Sequence, residues 1–123
     1  MNEHEIMSKE ELSILLHSVN VPVSEGISGE EDTNRFPRIV YWPFAEQDIM
    51  ASGTVYRNHV TYQISLYDRI PQGSTYKKLR NKFREKGIHP VFNHEYVEKD
   101  PIYEKTWHTY FAVDVLEDIS EED

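Results

Sequence analysis

Six histidines in a chain of 123 residues raise metal chemistry first, because a site needs several ligands converging on one point. His89 and His94 are five positions apart on a stretch that reads as a strand, where alternation sends them to opposite faces. His94-Glu95 opens like a zinc-protease helix, but the position for the second histidine holds Glu98. His59 and His108 are candidates for cross-strand neighbours, although nothing in their spacing requires it. With no cysteine in the chain, disulfides, thiolate ligands and thiol nucleophiles drop out. No metal site is expected.

Other reactive groups fare similarly. There is no G-x-S-x-G elbow, so a serine hydrolase would need a triad assembled from distant residues. The five glycines are scattered and form no phosphate-binding loop. Glu30 and Glu31 are adjacent carboxylates, but they sit in a segment read as solvated, where nothing moves their pKa values into catalytic range. Neither catalytic residues nor a cofactor are expected.

The strongest chemical signal is cationic. From Lys77 to Lys86 the chain reads KKLRNKFREK, six bases and one acid, in a protein of net charge -9. With Leu79 and Phe83 turned to a core, Lys77, Lys78, Arg80, Lys82, Arg84 and Lys86 spread over the remaining helix surface. Three readings fit: a solvated face, phosphate contacts to nucleic acid, or docking of an acidic protein partner. The chain supplies acids of its own at both ends. Residues 1–34 hold eight acids and one base, Glu30, Glu31 and Asp32 among them; residues 117–123 hold five acids, including Glu121, Glu122 and Asp123. The middle keeps nine acids against twelve bases. An acidic chain is a poor general binder of DNA, since phosphate neutralisation drives that binding.

The elements that must position these residues follow from periodicity. Ser8 and Glu11 form a capping-box pattern, and Leu12, Leu15, Leu16 and Val19 follow at helical spacing, predicting a first helix over 8–19. VPVSEG is a short extended piece, and residues 25–34 read as a mobile loop. FPRIVYWPF predicts a strand over 37–42, its prolines marking where ladder bonding stops. AEQDIMASGT then reads as a loop. VYRNHVTYQISLY alternates, with Val60, Tyr62, Ile64 and Leu66 on one face, predicting a half-buried antiparallel strand. DRIPQGS supplies a turn and a cap, Tyr76, Leu79 and Phe83 recur at helical steps, and Gly87 sits where a helix ends, so the second helix spans 75–86. HPVFNHEYV and YEKTWHTYFAVDVLE are two further strands joined by EKDP.

The expected fold is α+β: a mainly antiparallel sheet of three to five strands with two helices packed on one face. The domain spans 8–118, between a flexible acidic N-terminus (1–7) and an acidic tail (119–123). Neither a secretory signal core nor a membrane-length apolar stretch is present, so a soluble protein made inside a cell is expected. Trp42, Tyr62, Trp107 and Phe111 read as core residues of the sheet, leaving Tyr56, Tyr67 and Tyr103 open to interface roles.

The succession VPVSEG, FPRIVYW, VYRNHVTYQISLY, YKKLRNKFREKGI and TWHTYFAVDVLED resembles the small tail-completion and tail-terminator proteins of long-tailed bacteriophages and prophages. The resemblance runs from about Leu12 to Asp118. It implies a structural protein without catalytic residues or cofactor, made in the bacterial host cytoplasm and located in the virion at the head-proximal end of the tail. Such a protein forms a ring, typically of six copies, that stops tail-tube growth and meets the head connector. Its partners would be further copies of itself, the tail tube protein and the connector, with no membrane and with DNA only as the passing genome. The stretch from Ala45 to Arg57, with Glu46, Asp48, Ile49, Met50 and Arg57, corresponds to a loop that orders on assembly. The basic helix matches no rule of that family; pairing it with the acidic segments 25–34 or 117–123 of a neighbouring copy is a separate expectation. The alternative function is a small nucleic-acid-binding regulator using residues 75–86.

Overall fold

The computed structural model describes residues 7–26, 35–51, 55–97 and 106–119. Along the chain they form α1 (Lys9–His17), β1 (Val23–Glu25), β2 (Arg38–Ala51), β3 (Val55–Asp68), α2 (Ser74–Glu85), β4 (Asn93–Val97) and β5 (Thr106–Ile119). The strands make one sheet in the order β1-β2-β3-β5-β4. Only β1 runs parallel to its neighbour. The fold is α+β, with the element order that the periodicity predicts.

Each helix begins or ends for a local reason. Ser8 Oγ accepts from the Glu11 amide at 3.1 Å, and Glu11 Oε1 accepts from the Ser8 amide at 2.9 Å; this is the expected capping box. α2 starts differently from expectation: Gly73 is its N-cap, and no side chain caps it. Its end is a Schellman turn. Gly87, at φ 78°, donates to the Arg84 carbonyl, and Ile88 donates to that of Phe83, both at 3.0 Å.

The core lies on one face of the sheet. Tyr62, Ile64 and Leu66 of β3 stand in register with Val113, Phe111 and Thr109 of β5, and Ile39 and Tyr41 of β2 complete the rows. Leu12, Leu15 and Leu16 of α1 and Leu79 and Phe83 of α2 enter the same buried cluster. Phe83 meets Phe111 edge-on, ring centroids 5.3 Å apart, so α2 lies on this face. Full burial of one such side chain is worth about 1.5–3 kcal/mol.

Two expectations are corrected here. β2 does not stop at Trp42: it continues to Ala51, so the part of the expected loop from Ala45 to Ala51 is strand paired with β3, while residues 52–54 lie outside the described residues. Pro43 is tolerated because β1 pairs no further than Tyr41 and the register shifts between Pro43 and Ala45, which makes this stretch an edge with a bulge. The aromatic core is also smaller than expected. Tyr62 and Phe111 are buried, but Trp42 pairs with Gln63 on the opposite face, and half-buried Trp107 packs against Tyr96 at 5.0 Å.

Candidate functional site

Helix α2 carries all six expected cations on or beside it, with Lys86 as its C-cap. At 3.6 residues per turn they sort into two rails. Lys78, Lys82 and Lys86 stack at four-residue steps along one flank, rising ~6 Å per step. Lys77, Arg80 and Arg84 run along the other. Between the rails lie Asn81 and Glu85, opposite the buried face of Tyr76, Leu79 and Phe83. Among the described residues none of Lys77, Lys78, Lys82 or Arg84 forms an ion pair. Arg80 lies 5.7 Å from the Tyr76 ring centroid, and Lys86 acts on Glu11 through space. Like charges four residues apart cost a helix a few tenths of a kcal/mol per pair, so α2 carries its cations at the expense of its own stability.

Carboxylates gather elsewhere. At the far end of the sheet, Glu46 stands opposite Val60 and Val115, and Asp48 opposite Asn58 and Glu117. Cross-strand partners share a face, so Glu46, Asp48 and Glu117 lie on the face that α2 covers at Phe111. Glu46 and Asp48 are exposed. Asn58 Nδ2 reaches Glu46 Oε1 at 3.5 Å, while among the described residues none of the three acids has an ion-pair partner. Closer to the body, Lys9 Nζ bonds Glu25 Oε2 at 3.3 Å, and that bond raises the lysine's pKa. Burial raises that of Tyr62.

The expected assembly loop therefore divides between two faces of a strand pair. Glu46 and Asp48 take the core side; Ile49 and Arg57, paired with each other, take the other. Met50 pairs with Tyr56 in the backbone ladder. Glu30, Glu31, Asp32, Glu121, Glu122 and Asp123 lie outside the described residues, as does Tyr103.

The face away from the core holds a polar and aromatic column that periodicity alone does not reveal. His108 is sandwiched between Tyr67 and Tyr110, at centroid distances of 4.7 and 4.8 Å. The stack continues through Arg38, whose guanidinium lies 4.6 Å from the Tyr67 ring centroid and 4.8 Å from that of Phe36, to Arg69, whose guanidinium lies 4.7 Å from the Phe36 centroid. Across it runs a hydrogen-bonded line: His108 Nδ1 to Glu95 Oε2 at 2.9 Å, and Nε2 to Ser65 Oγ at 2.8 Å. With Nδ1–H donating to the carboxylate, the neutral ring accepts from the serine hydroxyl.

By distance alone this is the hydrogen-bond pattern of a serine triad. Ser65, however, is wholly buried in the central strand, between Val40 of β2 and Tyr110 of β5. A nucleophile needs room for a substrate carbonyl and donors for its oxyanion, and this hydroxyl has no open approach. The line ties β3, β5 and β4 together. Only the register, which sets Ser65 opposite Tyr110 and Glu95 opposite His108, makes it visible.

Among the described residues the other histidines do not converge. β4 starts at Asn93, so His89 precedes the strand and helps line an open cavity of about 290 Å³ with Ala112 and Asp114. His94 Nδ1 lies 2.9 Å from Thr109 Oγ1. His59 faces Leu116 while His108 faces Tyr67, which removes the expected candidate pair. Among the described residues no group of three metal-ligating side chains forms, and no helix is long and apolar enough to cross a membrane. A second open cavity, about 470 Å³, is lined by Asn20, Val21, Pro22, Arg35, Phe36, Pro37 and Arg69. No protein-family model matches the chain, and no curated protein matches it.

Proposed function

We propose that this chain is a structural protein of a long-tailed bacteriophage or prophage that caps the head-proximal end of the tail and provides the joint to the head connector, assembling as a ring. The sequence resemblance supplies the assignment. The observation that carries the assembly half of it is α2: a helix fastened by Leu79 and Phe83 that presents two rails of cations without ion-pair partners among the described residues. Copies of a chain of net charge -9 repel one another, so association needs a local cationic face turned to an anionic one. Unlike surfaces of identical subunits then meet head to tail, and such contacts close into a ring when the rotation between neighbours closes.

Electron microscopy of particles made by the parent phage without this chain tests the reading. Overlong tails mean that the protein terminates tail growth. Tails of normal length lying free beside filled heads mean that it joins them. Intact virions overturn the proposal.

The same rails are suited to phosphate, which keeps nucleic-acid binding as the second reading. Steep loss of labelled DNA or RNA binding with added salt, abolished by reversing Lys78 and Lys82, would favour it.

A further inference from the structure

The acidic end of the sheet and the cationic helix are two halves of one contact, separated on the chain. We infer that α2 of one copy seats against the core-side face of the β2–β3–β5 end of the next copy, with the Lys78 and Lys82 rail over Glu46, Asp48 and Glu117. This deepens the ring reading and rests on it.

Three observations support the pairing. The acids are brought together by register from two strands: Asp48 and Glu117 both flank Asn58, although they are far apart in sequence. Neither they nor the lysines find an ion-pair partner among the described residues. Finally, the face concerned already receives a copy of this helix within the subunit, where Phe83 packs on Phe111. Along β3 it runs on from buried Ile64, Tyr62 and Val60 to half-buried Asn58, while on β2 Glu46 and Asp48 are exposed. A neighbouring α2 would extend the helical layer over that end. The contact joins different surfaces of the two copies, as a closing ring requires.

The absence of cysteine makes a clean test possible. Two single-cysteine chains, Asp48→Cys and Lys82→Cys, are supplied together to the parent phage lacking its own copy, and purified particles are oxidised. The mixture should yield a disulfide-linked dimer, and particles built from either variant alone should yield none. In parallel, Glu46→Lys/Asp48→Lys should cut particle yield ~10-fold or more, and adding Lys78→Glu/Lys82→Glu should restore most of it. Particles that contain the chain but give no cross-link in the mixture, and no rescue by the second charge swap, overturn this contact while leaving the ring. Intact particles lacking the chain overturn both.

Discussion

His108 Nε2 lies 2.8 Å from Ser65 Oγ, and through this bond β5 is tied to β3 on the face away from the hydrophobic core. Glu95 holds the other nitrogen at 2.9 Å, so β4 is drawn into the same line. A buried hydroxyl left without its partner costs about 1–3 kcal/mol. His108→Phe keeps a ring between Tyr67 and Tyr110 but removes both hydrogen bonds, and should destabilise the fold by about that amount. Combining it with Ser65→Ala should cost less than the two changes summed. Urea denaturation of the four chains in the cycle measures the difference.

The α1 cap gives a pH signature. The amide and hydroxyl of Ser8 lower the pKa of Glu11 below its ordinary 4.5. A depressed carboxyl contributes stability above its unfolded pKa and loses it as pH falls through the folded one. Ser8→Ala should therefore lose about 1 kcal/mol near neutrality. The Ser8 backbone amide is the leading cause of the shift and survives that change. It is Glu11→Gln, without the titrating carboxyl, that should show a shallower fall in stability between about pH 5 and pH 3 than the parent chain. Thermal melts across that range read both.

Fold and assembly should separate cleanly along α2. Phe83→Ala empties a fully buried site and should cost about 3–5 kcal/mol in denaturant unfolding. Reversing Lys78 and Lys82 to Glu, on the flank away from the contact of Arg80 with Tyr76, should cost no more than roughly 1 kcal/mol, while particle assembly fails. Equal loss of stability in both variants would show that the cations serve the fold.

What was legible in the sequence is what short-range patterns encode. Ser8 and Glu11 announce their helix, Gly87 marks the end of the next, and Val60, Tyr62, Ile64 and Leu66 declare the core face of β3. The far half of β2 was hidden because Pro43 and the run of exposed Glu46, Gln47 and Asp48 resemble a loop. An edge strand with a bulge accepts both the missing amide and the acids. The Ser65–His108–Glu95 line was hidden for another reason. Its members come from three strands, and only the long-range register of β5 against β3 and β4 brings them together.

The most direct measurement is add-back. Lysate of the parent phage grown without this chain is mixed with purified protein, and infectious particles are counted. The account predicts that the parent chain restores infectivity and that Lys78→Glu/Lys82→Glu, shown by denaturation to be folded, does not. Full infectivity before any protein is added would contradict the assignment to the tail end; equal rescue by the reversed chain would contradict the role given to α2.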